Sequence, residues 1–191
     1  MNALILVGGK SSRMGTDKGL LDYHGKPQRE YLFDLAKKYC SEVYFSCRAE
    51  LQFSEYSIID TYSLGPMGGI LSAFDFNPNA AWLVVACDLP WIDKNSFEVL
   101  VNHRNKDKIA TAFMNPETNA PDPLFTIYEP KVFHLLNKYV EAGNKSPKVF
   151  LQNNDTEIIL SVNPSMLTNV NTREEFEQIK KHRKLNSLLF A

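Results

Sequence analysis

Two apolar runs without polar alternation constrain this chain more than any other feature. Leu4, Ile5, Leu6 and Val7 form the first; Ala81, Trp82, Leu83, Val84, Val85 and Ala86 form the second. A strand covered on one face alternates apolar with polar residues. A strand covered on both faces does not, and such strands belong to parallel sheets with helices on each side. Helical and extended patterns take turns along the rest of the chain. Pro27 can open a helix with Tyr31, Leu32, Leu35, Ala36 and Tyr39 on its apolar face. Residues 42–47 and 56–59 read as strands, Gly65-Pro66 breaks the chain, and Ile70, Leu71 and Phe74 give the next helix its stripe. Further on, 94–104 reads as helix, 108–113 and 124–128 as strands, 130–140 as helix and 156–160 as a late strand. Thr172 can cap a final helix with Glu174 and Glu175 in its first turn. Residues 115–123, rich in Pro, Asn and Thr, read as a loop. This order predicts an α/β three-layer, Rossmann-like sandwich around a mostly parallel, mixed sheet, with a single domain over residues 1–191.

The bulk composition sets limits on partners. A net charge of −1 gives no general pull toward nucleic acid or an acidic membrane, so any positive charge that matters is local. The basic run at Lys180, Lys181, His182, Arg183 and Lys184 is read as a solvated helix end that complements the dipole. No basic region precedes a long apolar stretch at the amino terminus, which predicts a soluble, cytoplasmic chain. Cys40, Cys47 and Cys87 are odd in number and widely spaced, which favours small buried hydrophobes over disulfides or zinc. His24, His103, His134 and His182 have no metal spacing, and no G-x-S-x-G elbow supports a nucleophilic hydrolase.

Chemistry concentrates where the first apolar run ends, in Gly8 and Gly9, with Arg13, Gly15 and Lys18 soon after. Paired glycines let backbone amides approach a ligand closely, and the two cations suit clustered negative charge such as a nucleoside triphosphate. The spacing fits neither a dinucleotide fingerprint nor a Walker loop, where Leu4 stands in place of the required glycine. Ligands of open α/β sheets collect at the carboxyl ends of strands, and Asp60 and Asp88 follow strands at that edge. A carboxylate facing a triphosphate calls for an intervening cation, and magnesium suits one or two carboxylates with phosphate oxygens. Asn169 and Asn171 fall on one side of an extended segment and can supply neutral amide oxygens.

Leu6-Val7-Gly8-Gly9, followed by Arg13-Met14-Gly15 and Asp17-Lys18, resembles the signature of nucleotidyltransferases that modify the molybdenum cofactor. Gly25-Lys26-Pro27, Asp60 ahead of Gly65-Pro66-Met67-Gly68-Gly69, Cys87-Asp88-Leu89-Pro90, Pro123-Leu124-Phe125 and Asn169-Val170-Asn171-Thr172 follow in that family's order. The resemblance is strongest to the molybdenum cofactor guanylyltransferases, of the nucleotide-diphospho-sugar transferase fold type. It implies GTP and molybdopterin as substrates, Mg2+ as cofactor, and transient contact with enzymes that donate or accept the cofactor. It further implies that Leu6, Val7, Gly8 and Gly9 contact the nucleotide, with Arg13 and Lys18 on its phosphates. Asp60 would hold the nucleoside and Asp88 the metal, with Asn171 as a further metal ligand. Gly69, Asn169 and Asn171 would face the pterin. One departure is visible: Cys47 precedes Arg48 where the family often carries asparagine, and Ser46 is the candidate substitute. The rival readings are a cytidylyltransferase on molybdopterin, an NMP transferase acting on a sugar phosphate, and a non-catalytic nucleotide-binding scaffold or sensor. Val7-Gly8-Gly9, in place of the Ala-Ala-Gly usual in the cytidylyl relatives, favours guanine.

Overall fold

Both apolar runs lie side by side at the centre of the sheet. In the computed structural model, β1 (Asn2–Leu6) and β4 (Trp82–Ala86) pair in parallel, Ile5 opposite Val85. The structure describes residues 1–7, 18–49, 54–160 and 163–189, for residues 164 and 183–189 by backbone alone. With β2 (Val43–Cys47), β3 (Ser57–Ile59), β5 (Ala110–Asn115), β6 (Ala120–Tyr128) and β7 (Thr156–Leu160), they form a seven-stranded sheet in the order β3-β2-β1-β4-β6-β5-β7. β6 runs antiparallel to both its neighbours and the remaining pairs are parallel. The sheet is mostly parallel, as the strand and helix alternation requires, and mixed because β5 and β6 follow one another with no helix between them.

Side chains of each central strand divide between two cores. Ala3, Ile5, Leu83 and Val85 pack with helices α1 (Gln28–Ala36) and α3 (Lys94–Asn102) on one face. Leu4, Trp82 and Val84 pack on the other, against α2 (Pro66–Phe76), α4 (Phe133–Glu141) and α5 (Pro147–Gln152). The last helix, α6 (Arg173–Leu189), is joined to the body through a separate cluster of Tyr23, Val170 and Ile179 with Trp91 and Phe176. Among the described residues no helix is long and apolar enough to cross a membrane. Cys40, Cys47 and Cys87 are free and buried, and burial pushes the Cys40 thiol up to about 12, so it stays protonated and inert.

Three expectations change. The 115–123 loop is a tight hairpin between β5 and β6, turning at Asn119 with φ of 47°. Pro121 and Pro123 hid the strand, which tolerates them because β6 is irregular there: Asp122 accepts hydrogen bonds from Leu124 N (2.8 Å) and Phe125 N (3.2 Å), and the β5–β6 register shifts. A short helix, α5, was not anticipated, although Ser146 caps it and Pro147 occupies its first turn. Finally, the basic run at 180–184 lies within α6 and not at its end, since the helix continues to Leu189.

Candidate active site

The site forms at the carboxyl edge of β1, β2 and β4, where three distant segments meet. Lys18 opens a 3₁₀ turn, Lys18–Leu20, after the segment that carries Gly8, Gly9 and Arg13. Those three predicted residues lie outside the described residues. Asp88 follows β4 in a turn closed by Leu89 N donating to Ala86 O, and Cys87 N donates to Leu6 O at 3.2 Å. Asn171 stands in an extended stretch ahead of α6, with Val170 turned inward at 1% exposure and both Asn169 and Asn171 outward. That matches the one-sided placement expected from their spacing.

Lys18 Nζ lies 2.8 Å from Asn171 Oδ1 and 3.4 Å from Asp88 Oδ2. Residues 70 and 153 positions from Lys18 thus converge on one ammonium group. The backbone reinforces the arrangement, because Val170 N donates to Asp88 O at 2.9 Å. Asp88 Oδ1 is buried and has no hydrogen-bond partner among the described residues. A buried carboxylate oxygen left in this way is an acceptor that a cation can fill. Asn169 makes no hydrogen bond with Lys18 or Asp88 and stays exposed on the same segment.

The segment bearing Asn171 is fixed by the start of α6. Glu175 N donates to Thr172 Oγ1 at 3.2 Å, while Glu175 Oε2 accepts from Asn171 N at 2.7 Å and Thr172 N at 3.1 Å. This is a reciprocal capping box. The Asn171 N–H bond, joined by those of Thr172 and the Lys18 charge, holds the Glu175 carboxyl below its ordinary value against the opposing effect of burial.

Asp60 and Ser46 form the other flank, beside the amino end of α2. Gly65, with φ of 63°, sits at the cap position where a side chain would be strained, and Pro66 begins the helix. Asp60 Oδ1 accepts from Tyr62 N (2.9 Å) and Ser63 N (3.0 Å), which fixes its carboxylate against α2. A Cβ on Gly68 would lie 2.8 Å from Asp60 Oδ2, and one on Gly69 would lie 2.5 Å from Ser46 Oγ and 3.0 Å from Leu6 Cδ2. The glycine pair lets Asp60, Ser46 and Leu6 crowd the helix start. Cys47 turns instead into the core on the opposite face, so Ser46 is the member of Ser46-Cys47-Arg48 brought beside Leu6 and Gly69. Val7 N is committed to Ser46 O at 3.3 Å, which ties β1 to β2 at this edge.

Asp122 is a carboxylate that sequence reasoning passed over because it fell within the supposed loop. It is 6% exposed, and Asn115 Nδ2 donates to its Oδ2 at 3.2 Å. Burial raises its pKa, the Asp88 charge adds to the rise, and bonds from Leu124 N, Asn115 and Phe125 N oppose it. An aspartate placed between two prolines was the available signal, since Asp favours turns in which it bonds its own backbone.

The chain is similar to several known proteins in sequence and in fold. A bifunctional molybdenum cofactor biosynthesis protein of Synechocystis is 36% identical over 182 residues, covering 92% of this chain and 52% of that protein. The chain therefore spans about half the length of that relative. A molybdenum cofactor guanylyltransferase of Shewanella sediminis is 25% identical, with 94% of this chain and 95% of the relative covered. In fold, the crystal structure of molybdopterin-guanine dinucleotide biosynthesis protein A from Archaeoglobus fulgidus superposes with a TM-score of 0.77, at 20% identity, over 96% of this chain and 99% of that one. The MobA-like NTP transferase domain matches residues 3–158, from β1 into β7, and this chain belongs to that family.

Proposed function

We propose that this domain is a guanylyltransferase that joins GMP from GTP to the terminal phosphate of molybdopterin and releases pyrophosphate. The convergence of Lys18, Asp88 and Asn171 carries this reading, supported by the relatives named as guanylyltransferases. An oxygen of the pterin phosphate bonds to the α-phosphorus of GTP as the bond from that phosphorus to the bridging oxygen of the β-phosphate breaks. The electron pair leaves with pyrophosphate. Such a displacement needs no covalent protein intermediate, so the protein's part is positioning and neutralising charge.

Lys18 donates to phosphate oxygens, with Arg13 as a second cation from the glycine segment. Asp88 and the Asn171 amide oxygen are the residues to hold a divalent ion, and the unpartnered Asp88 Oδ1 fits that use. Magnesium bound there would neutralise charge on the phosphoryl oxygens. In this reading Leu6, Val7, Gly8, Gly9, Ser46 and Asp60 serve the nucleoside, Gly69 packs behind Ser46 and Leu6 on that same flank and not on the pterin side, and Asn169 serves the pterin. Incubation with GTP, molybdopterin and magnesium should release pyrophosphate only when all three are present. Release that is indifferent to molybdopterin would overturn the assignment of acceptor.

A further inference from the structure

Gln28 is wholly buried, yet its side chain is only half satisfied. Its Nε2 donates to Leu89 O at 3.3 Å, whereas its buried Oε1 has no partner among the described residues. Leu89 immediately follows Asp88. The backbone of Gln28 makes a second tie, its N–H donating to Leu21 O at 2.9 Å, and Leu21 N donates in turn to Lys18 O at 3.3 Å. One residue at the start of α1 therefore grips both the turn that carries Lys18 and the turn that carries Asp88.

Stability alone does not account for a glutamine here. Leu89 O also accepts from Ile92 N at 3.4 Å, so it does not depend on the amide. An unpaired Oε1 in the interior is unfavourable, and an apolar side chain of the same length would avoid that penalty. We propose that Gln28 is a positioning residue that fixes the separation of Lys18 and Asp88 through these two bonds. The inference rests on the reading of Lys18 and Asp88 as the phosphate and metal residues. It adds a tie that holds the two turns bearing these charges side by side.

The variant Gln28→Met keeps length, volume and the backbone bond and removes only the side-chain tie. Its melting temperature should equal or exceed that of the wild type, and its GTP affinity by calorimetry should stay within about twofold. Turnover, followed as pyrophosphate release, should fall about tenfold, since loss of positioning acts on the chemical step. Wild-type turnover in Gln28→Met, with Lys18→Ala and Asp88→Asn impaired, overturns the role of Gln28 and leaves the proposed function standing. A lowered melting temperature in Gln28→Met also overturns it, by showing the amide to be structural. Wild-type turnover in Lys18→Ala and Asp88→Asn would overturn the proposed function itself.

Discussion

At the scale of single residues, the proposed function divides the work of binding and chemistry between Lys18 and Asp88. Lys18→Ala removes a charge-assisted contact to phosphate of about 1.5–3 kcal/mol, so calorimetry should show GTP affinity reduced by about tenfold to a hundredfold. Unchanged affinity would detach the glycine segment from phosphate binding. Asp88→Asn keeps the side-chain shape and leaves the bond from Val170 N to the Asp88 carbonyl in place. It should melt close to the wild type while turnover falls about a thousandfold or more, because a neutral oxygen holds magnesium poorly and the metal supplies several kcal/mol of charge stabilisation. A variant that melts normally and turns over at the wild-type rate in low magnesium would make Asp88 a turn residue. Both residues were legible in the sequence because each follows a recognisable strand end or glycine segment. Gln28 and Asp122 were not. Gln28 acts through Leu89, 61 positions away, which no local pattern reveals, and the Pro-Asp-Pro signal at Asp122 lay inside a segment that reads as a loop.

The elements show a similar division. Strands with continuous apolar runs were readable to within a residue or so at each end, because burial on both faces leaves no other composition available. The β5–β6 hairpin was not, since Pro121 and Pro123 imitate a loop and the irregularity that admits them is visible only in the paired strands. At α6, Thr172 was legible as a cap, while the reach of Glu175 back to Asn171 N emerges from the structure. That bond makes helix capping and placement of Asn171 a single feature. Thr172→Ala should cost about 1 kcal/mol of stability, read as a lower midpoint in chemical denaturation. Glu175 adds a pH dependence of definite sign. Its folded pKa lies below the ordinary 4.5, so the unfolded chain binds the proton more readily, and its stabilisation is present above pH 4.5 and lost as pH falls through the lower folded value. Melting curves recorded downward from pH 5 should show a steeper loss for the wild type than for Glu175→Gln. Parallel curves would remove Glu175 from the cap.

For the whole molecule, the strand order sends β1, β2 and β4 to one edge, and α6 returns along that edge with Asn171 at its start. The sheet's core can be anticipated from apolar runs, whereas the pairing of antiparallel β6 between β4 and β5 is a matter of topology. In the proposed function base choice falls to this assembled edge, where Leu6, Ser46, Asp60 and the tight start of α2 crowd together. A site that hydrogen-bonds one base leaves buried groups unpaired with another, so GTP should outcompete CTP in binding. Tighter binding of CTP would move the chain to cytidylyl transfer. The central claim is the fate of the two halves of GTP, and a paired isotope experiment follows both. GTP labelled at the α-phosphate or at the γ-phosphate is incubated with the protein, molybdopterin and magnesium. The α-label is expected in a pterin–guanine dinucleotide and the γ-label in pyrophosphate. An α-label that ends in free GMP, or remains in GTP, would contradict it.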